Sequence, residues 1–100
     1  ALERETSVAA EHPALCGHFP GRPIVPGVVL LAFVEELLRD ARLRVVELMQ
    51  VKWRTPVSPG ERLRIRVDVE RRRTARFEIF AGATAAASGR LRCADVEDAR

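Results

Sequence analysis

One segment of helix length is apolar on almost every face, and it constrains the fold of this chain more than any other feature. A helix without a polar face has to be buried. The chain has 100 residues, which is enough for one hydrophobic core and not for two. We therefore expect a single domain over residues 1–100, built around one buried helix from Gly27 to about Arg39. The apolar residues of this segment are Val28, Val29, Leu30, Leu31, Ala32, Phe33, Val34, Leu37 and Leu38.

The rest of the chain is patterned as strands. Residues 61–70 alternate strictly between apolar and charged side chains, which is typical of an antiparallel strand buried on one face. One apolar helix and several one-faced strands favour an α+β fold in which an antiparallel sheet of about five strands wraps the central helix. Further strands are predicted at residues 3–11, 45–54 (with Met49, Val51 and Trp53 on one face), 75–81 and 84–93, with turns at 58–60 and 71–74 and a break at Gly82.

A loop rich in proline and glycine, residues 12–26, leads into the helix and carries the densest motif of the chain. The motif runs His18-Phe19-Pro20-Gly21-Arg22-Pro23-Ile24-Val25-Pro26-Gly27-Val28-Val29. A neutral imidazole such as that of His18 accepts a proton near neutral pH, and a helix start offers free N–H donors at the positive end of the macrodipole. A base beside such donors is the minimum needed to remove a proton next to a carbonyl group. Gly27, which has no side chain, permits close approach and is the candidate enolate stabiliser.

Two motifs resemble one known family. The run from His18 to Val29 resembles the HFPG-x-P-I-x-PG-V signature of the β-hydroxyacyl-acyl carrier protein dehydratases, and Val51 to Leu63 is similar to their V-K-F-R-x-P-V-x-P-G-D-x-L segment. The resemblance covers roughly residues 8–93. It implies a hotdog fold, edge-to-edge dimers and dehydration of 3-hydroxyacyl thioesters in fatty acid, lipid or polyene-type biosynthesis. It also implies that His18 and Gly27 are catalytic, with the substrate bound by Phe19, Pro20, Gly21, Pro26 and Val28.

The helix departs from the family pattern at Ala32. The family carries a glutamate or aspartate there, and alanine cannot donate a proton to the leaving hydroxyl group. Loss of a positioned acid typically costs about 100- to 10,000-fold in rate. Glu35 and Glu36 follow and could reach back partway as substitute acids, although a solvated or interface patch is the favoured interpretation for both. The resemblance implies that histidine and acid come from different subunits, so a heterodimer could complete one site that a homodimer would lack.

Two functions follow from these observations. The first is a hydro-lyase, or a subunit of one, that acts on 3-hydroxyacyl thioesters of acyl carrier protein or coenzyme A. The second is a non-catalytic hotdog module that binds an acyl thioester or pairs with an active partner. A thioesterase is a third possibility, against which the HFPG motif argues. The chain is expected to form a homodimer, a heterodimer with another hotdog chain, or a higher oligomer.

Composition and charge narrow the remaining classes. The net charge is +3, and Arg71-Arg72-Arg73 is either a solvated turn, which is favoured, or a docking patch for an acidic carrier protein. Nucleic-acid binding is disfavoured because the chain has no tyrosine and one tryptophan, so it lacks a stacking platform. The longest uncharged apolar run, residues 28–34, is far too short to span a bilayer. We expect a cytoplasmic protein with free thiols at Cys16 and Cys93, a surface His12, and neither a metal site nor a cofactor.

Overall fold

The computed structural model describes residues 1–9 and 24–96. The elements are β1 (Leu2–Thr6), α1 (Gly27–Asp40), β2 (Leu43–Trp53), β3 (Leu63–Val69), a 3₁₀ turn (Arg71–Arg73), β4 (Thr74–Ala81) and β5 (Thr84–Asp95). In this part of the chain, the five strands form one antiparallel sheet in the order β1-β3-β4-β5-β2. The first two strands, β1 and β2, lie at opposite edges, so the helix that connects them crosses the sheet and packs against one of its faces. The predicted α+β architecture is confirmed.

The hydrophobic core lies between α1 and the central strands. The alternation of β3 places its apolar side chains opposite those of β4, with Ile65 paired with Ile79 and Val67 with Phe77. All four of these side chains are at most 1% exposed. The helix adds one apolar stripe, because residues three and four apart along a helix share a face. Its buried members are Val29, Leu30, Val34, Leu37 and Leu38.

The helix has the predicted bounds but is less buried than predicted. Pro26 precedes it in an extended conformation (φ −63°, ψ 147°), and its carbonyl accepts the first helical hydrogen bonds. Val28 is 74% exposed and Ala32 is also exposed. The expectation that the helix is largely buried is therefore wrong for this single chain, because the sheet covers only one side of α1.

Strand β1 departs from the prediction in its bounds, and strand β3 departs from it in the burial of one residue. The first strand ends at Thr6 rather than residue 11, and Val8 leaves the sheet with its carbonyl accepting the Gly60 N–H. Residues 10 and 11 lie outside the described residues. Val69, expected on the buried face of its strand, is 45% exposed because β3 ends there.

The second strand is irregular. β2 pairs with β5 but shifts register between Val45 and Glu47 and again between Leu48 and Gln50. Each shift inserts an unpaired residue, which bends the strand. Beyond the second shift Val51 pairs with Gly89 and Trp53 with Ala87, so both return to the face of the sheet that carries α1. β2 thereby carries Trp53 to the start of the helix.

The opposite face of the sheet is charged. Arg62 pairs with Glu5 at 3.3 Å, and the guanidinium carbon of Arg64 lies 4.9 Å from the centre of the Phe80 ring. Arg66 in turn pairs with Asp68 at 3.3 Å. The arginine side chains of β3 therefore form a solvated face, as expected of a strand buried on one face only.

Candidate active site

The described part of the predicted site begins at Ile24. His18, Phe19, Pro20 and Gly21 lie outside the described residues, as do His12 and Cys16. Pro26, Gly27 and Val28 are described, and they form the junction between the loop and α1. What the structure defines is thus the helix start and the surface around it.

The helix start carries free donors. The N–H groups of Val29 and Leu30 donate to the Pro26 carbonyl at 3.0 and 3.4 Å. Within residues 1–9 and 24–96, the N–H groups of Gly27 and Val28 have no acceptor. The first turn also contains no acidic side chain. Uncompensated N–H donors at a helix N-terminus stabilise a negative charge placed before them.

Gly27 and Val28 line an apolar groove of about 550 Å³. The groove runs between the start of α1 and the chain that leaves β2. A hydrogen bond of 2.8 Å from the Val25 N–H to the Val57 carbonyl joins its two walls. Apolar grooves of this size with a few polar groups are typical of small-molecule sites. The groove is lined by Ile24, Val25, Gly27, Val28, Leu30, Leu31, Trp53, Arg54, Thr55, Pro56 and Val57.

The sequence patterns assigned no role to Trp53. In the structure its side chain forms part of the groove wall. The side chain is 53% exposed, and its six-membered ring lies against Gly27. A signal was present in the sequence, because Trp53 occupies the phenylalanine position of the V-K-F-R motif. The motif could not show that this aromatic ring meets the helix start, since that contact depends on how β2 pairs with β5.

The two candidate substitute acids have different surroundings. The Glu36 carboxylate lies 3.5 Å from the guanidinium of Arg4, which also contacts Asp40, so it is held toward β1. Glu35 is exposed and lies one turn beyond Leu31, on the helix face that also carries Val28. Of the two, only Glu35 remains on the side of the groove.

Cys93 and Arg73 make structural contacts in this chain. Cys93 is 3% exposed, and its thiol donates to the Arg73 carbonyl at 3.3 Å. Burial raises the pKa of the Cys93 thiol, an effect that Arg73 partly opposes. Arg73 itself pairs with Asp95 at 2.8 Å. Cys93 is therefore a core residue.

No helix in residues 1–9 and 24–96 is both long and apolar enough to cross a bilayer. The same residues contain no group of three or more histidine, cysteine or acidic side chains placed to bind a metal ion.

Comparison with known proteins identifies the family. The family model described as ApeI-like, ApeI dehydratase, matches residues 1–90. The chain belongs to the ApeI-like dehydratase family. It is 34% identical over 83 residues to the 3-hydroxyacyl-[acyl-carrier-protein] dehydratase FabZ of Anaeromyxobacter sp. (strain Fw109-5), a match that covers 69% of this chain and 52% of that protein. The chain spans about half the length of the FabZ dehydratases that it matches. The matches cover 52%, 60% and 49% of three of them.

Solved structures agree on the fold. The ApeI-like chain superposes with a TM-score of 0.78 on an uncharacterized protein from Erwinia carotovora subsp. atroseptica, with 24% identity and coverage of 96% of this chain and 84% of that one. It also superposes on a chain of the dehydratase heterocomplex ApeI:P from Xenorhabdus doucetiae, with a TM-score of 0.78, 21% identity and coverage of 91% and 84%. These neighbours establish the hotdog fold that the motifs implied.

Proposed function

We propose that this chain is a cytoplasmic dehydratase subunit that removes water from a 3-hydroxyacyl thioester carried by an acyl carrier protein. The observation that carries the proposal is the pair of N–H groups at Gly27 and Val28, which have no acceptor among the described residues and belong to residues that line an apolar groove. Membership of a dehydratase family supports the reaction class. The thioester carbonyl binds at the helix start, and the acyl chain lies in the groove.

The reaction begins with proton removal. The imidazole of His18 takes the proton from C2 of the substrate, and the electron pair of that bond moves toward the thioester carbonyl to form an enolate. The N–H of Gly27 donates to the enolate oxygen, in the position where negative charge develops. The enolate then collapses to a C2–C3 double bond while the C3–O bond breaks, and the departing hydroxide requires a proton to leave as water.

Position 32 of this subunit cannot supply the proton that the leaving group needs. The methyl group of Ala32 cannot supply a proton, and Glu36 is engaged by Arg4. We infer that a partner hotdog chain provides the carboxylate, since the known relatives include a chain of a dehydratase heterocomplex. Glu35 is the alternative donor within this chain.

The surface of β2 supports such a partner. β2 is an edge strand of 11 residues whose outer side has no strand beside it within the described part of the sheet. Three neighbouring side chains of this strand, Val46, Leu48 and Met49, are 44%, 46% and 50% exposed. Long apolar edges of this kind are normally covered. We propose that a second hotdog chain, identical or different, pairs along β2.

The second candidate function is a non-catalytic subunit that binds the acyl thioester and supports an active partner. The exposed Ala32 favours it, because a helix face that carries a methyl group in place of the acid can bind substrate without protonating it. This candidate keeps the groove and the dimer and gives His18 no chemical role.

Turnover by a reconstituted pair separates the two functions. The chain is mixed with a hotdog dehydratase chain whose own histidine is replaced by alanine and whose helix acid is intact. We expect dehydration of a 3-hydroxyacyl thioester that neither chain performs alone, and its loss with His18→Ala in this chain. His12→Ala is the matched control and should retain the activity. Turnover that survives His18→Ala would assign this chain the non-catalytic function.

A further inference from the structure

Trp53 and Gly27 both line the groove and lie in close contact with each other. A Cβ placed on Gly27 would lie 2.7 Å from Cη2 and 2.8 Å from Cζ2 of the Trp53 indole. A third ring atom, Cζ3, would lie at 3.3 Å. The two nearest distances are shorter than real Cβ contacts allow, so the indole fills the space that any side chain at position 27 would need.

Both members of this contact are held by the backbone. Trp53 is paired with Ala87 at the end of β2, and the next two residues, Arg54 and Thr55, both donate their N–H groups to the Ala86 carbonyl at 2.8 and 3.2 Å. Gly27 follows the extended Pro26 and is the first residue of α1. The separation between the ring and the helix start is therefore set by hydrogen-bonded elements and not by a mobile side chain alone.

We propose that Trp53 is a specificity-determining residue that sets the width of the groove beside Gly27 and selects slender acyl chains over branched or cyclic ones. This inference rests on the proposed function, because it takes the groove to be the acyl-thioester site. The outer ring of the indole stands beside the N–H groups that would receive the thioester oxygen. The indole and the side chains of Val28 and Leu31 all line the groove that the acyl group would occupy.

The identity of the residue matters because the contact is made by the far ring of the indole. The atoms nearest Gly27 all belong to the six-membered ring. A phenylalanine at position 53 has no second ring, so it would leave the corresponding space open. We therefore expect Trp53→Phe to widen the groove, with the apolar wall retained.

Binding of unreactive thioesters tests the inference without relying on catalysis. The probes are hexanoyl pantetheine and cyclohexanecarbonyl pantetheine, which have no hydroxyl group to eliminate, with affinities measured by calorimetry. Wild type should prefer the straight chain, and Trp53→Phe should shift the ratio of the two affinities toward the cyclic group by about 10-fold, a usual discrimination for an apolar pocket. In wild type the fluorescence of Trp53, the only tryptophan of the chain, should report binding directly. Val69→Ala, at an exposed apolar site on β3, is the matched control and should keep the wild-type ratio.

A second pair of variants tests the contact itself. Gly27→Ala should weaken binding of hexanoyl pantetheine, and adding Trp53→Phe to Gly27→Ala should restore at least part of it, because the phenyl ring leaves room for the new methyl group. Native mass spectrometry and thermal unfolding are measured for each variant. An unchanged affinity ratio in a folded Trp53→Phe protein of wild-type oligomeric state would overturn the inference. A change of oligomeric state alone would instead assign Trp53 to the subunit interface and also overturn it. Binding and selectivity without any turnover would leave the inference standing and count against the catalytic function only.

Discussion

At the scale of single residues, the candidate site is defined by two positions that lack a functional side chain. The N–H of Gly27 has no acceptor among the described residues, and Ala32 stands where the motif resemblance implies an acid. Ala32 is exposed, so a longer side chain there need not disrupt the core.

Restoring the acid should therefore increase catalysis. We expect Ala32→Glu to raise the dehydratase turnover of the isolated chain by about 100-fold or more, since a positioned general acid contributes on this scale. Turnover of a 3-hydroxyacyl thioester is compared between wild type and Ala32→Glu, with Ala32→Gln as the isosteric control that cannot donate a carboxylic proton. A folded Ala32→Glu protein no more active than the Ala32→Gln protein would mean that His18 and Gly27 are not arranged for this reaction.

The burial of Cys93 leads to a prediction about the reactivity of its thiol. The thiolate is the reactive form of cysteine, and the raised pKa of Cys93 lowers its fraction at neutral pH. In a Cys16→Ser background, Cys93 should react with a thiol reagent only as fast as the protein unfolds. Labelling is followed by mass spectrometry with and without urea. Rapid labelling of the folded protein would contradict the buried position of this side chain.

At the scale of elements, the site depends on how β2 and β5 meet. Two register shifts in β2 bring Trp53 opposite Ala87. Val51 pairs with Gly89, and the missing side chain of Gly89 allows the two strands to approach each other there. The Phe77 ring occupies the space above Gly89. A Cβ there would lie 2.3 Å from the Gln50 carbonyl oxygen and 2.6 Å from Cζ of Phe77.

A methyl group at position 89 should therefore destabilise the fold. Gly89→Ala is expected to lower the free energy of unfolding by about 1–3 kcal/mol, the usual effect of overpacking a close contact. Urea unfolding measures the difference. Ser88→Ala, the neighbouring residue on the charged face, serves as the control and should change stability much less. Equal effects of the two substitutions would show that position 89 is not tightly packed.

At the scale of the whole molecule, the apolar surface is concentrated along β2, and charge dominates the opposite face of the sheet. If a second chain covers β2, a charge placed there should separate the subunits, because a buried unpaired charge is costly. We expect Leu48→Glu to shift the protein toward a monomer in light scattering. Val69→Glu is the control, since Val69 is 45% exposed against 46% for Leu48 but lies on β3. Dissociation by both variants, or by neither, would contradict an interface along β2.

The location of carrier docking also belongs to this scale. Arg54, which lines the groove, has no ion-pair partner among the described residues, whereas Arg73 is paired with Asp95. Thr74, the residue after the Arg71–Arg73 turn, lies five residues along β4 from Ile79, the residue level with Ala87 and Trp53, which is about 17 Å. The structure thus favours Arg54 over the arginine turn that the sequence singled out.

Carrier binding should follow this distribution of charge. We expect Arg54→Ser to weaken binding of an acidic acyl carrier protein more than the triple variant Arg71→Ser, Arg72→Ser and Arg73→Ser. Added salt should weaken binding of wild type, since surface attraction is screened over about 8 Å at physiological ionic strength. Titration calorimetry at two salt concentrations measures both effects. A larger loss in the triple variant would return the docking site to the arginine turn.

The sequence by itself determined where the helix and the central strand β3 lie. The apolar segment and Pro26 placed α1 from Gly27 onward, and strict alternation placed Leu63, Ile65 and Val67 in the core, because both features depend on local periodicity. Only the tertiary structure decided which helix face stays open, that Glu36 is held by Arg4, and that Trp53 meets Gly27. These contacts join residues far apart in the chain, and they follow from strand order and the bulges of β2, which no local pattern encodes.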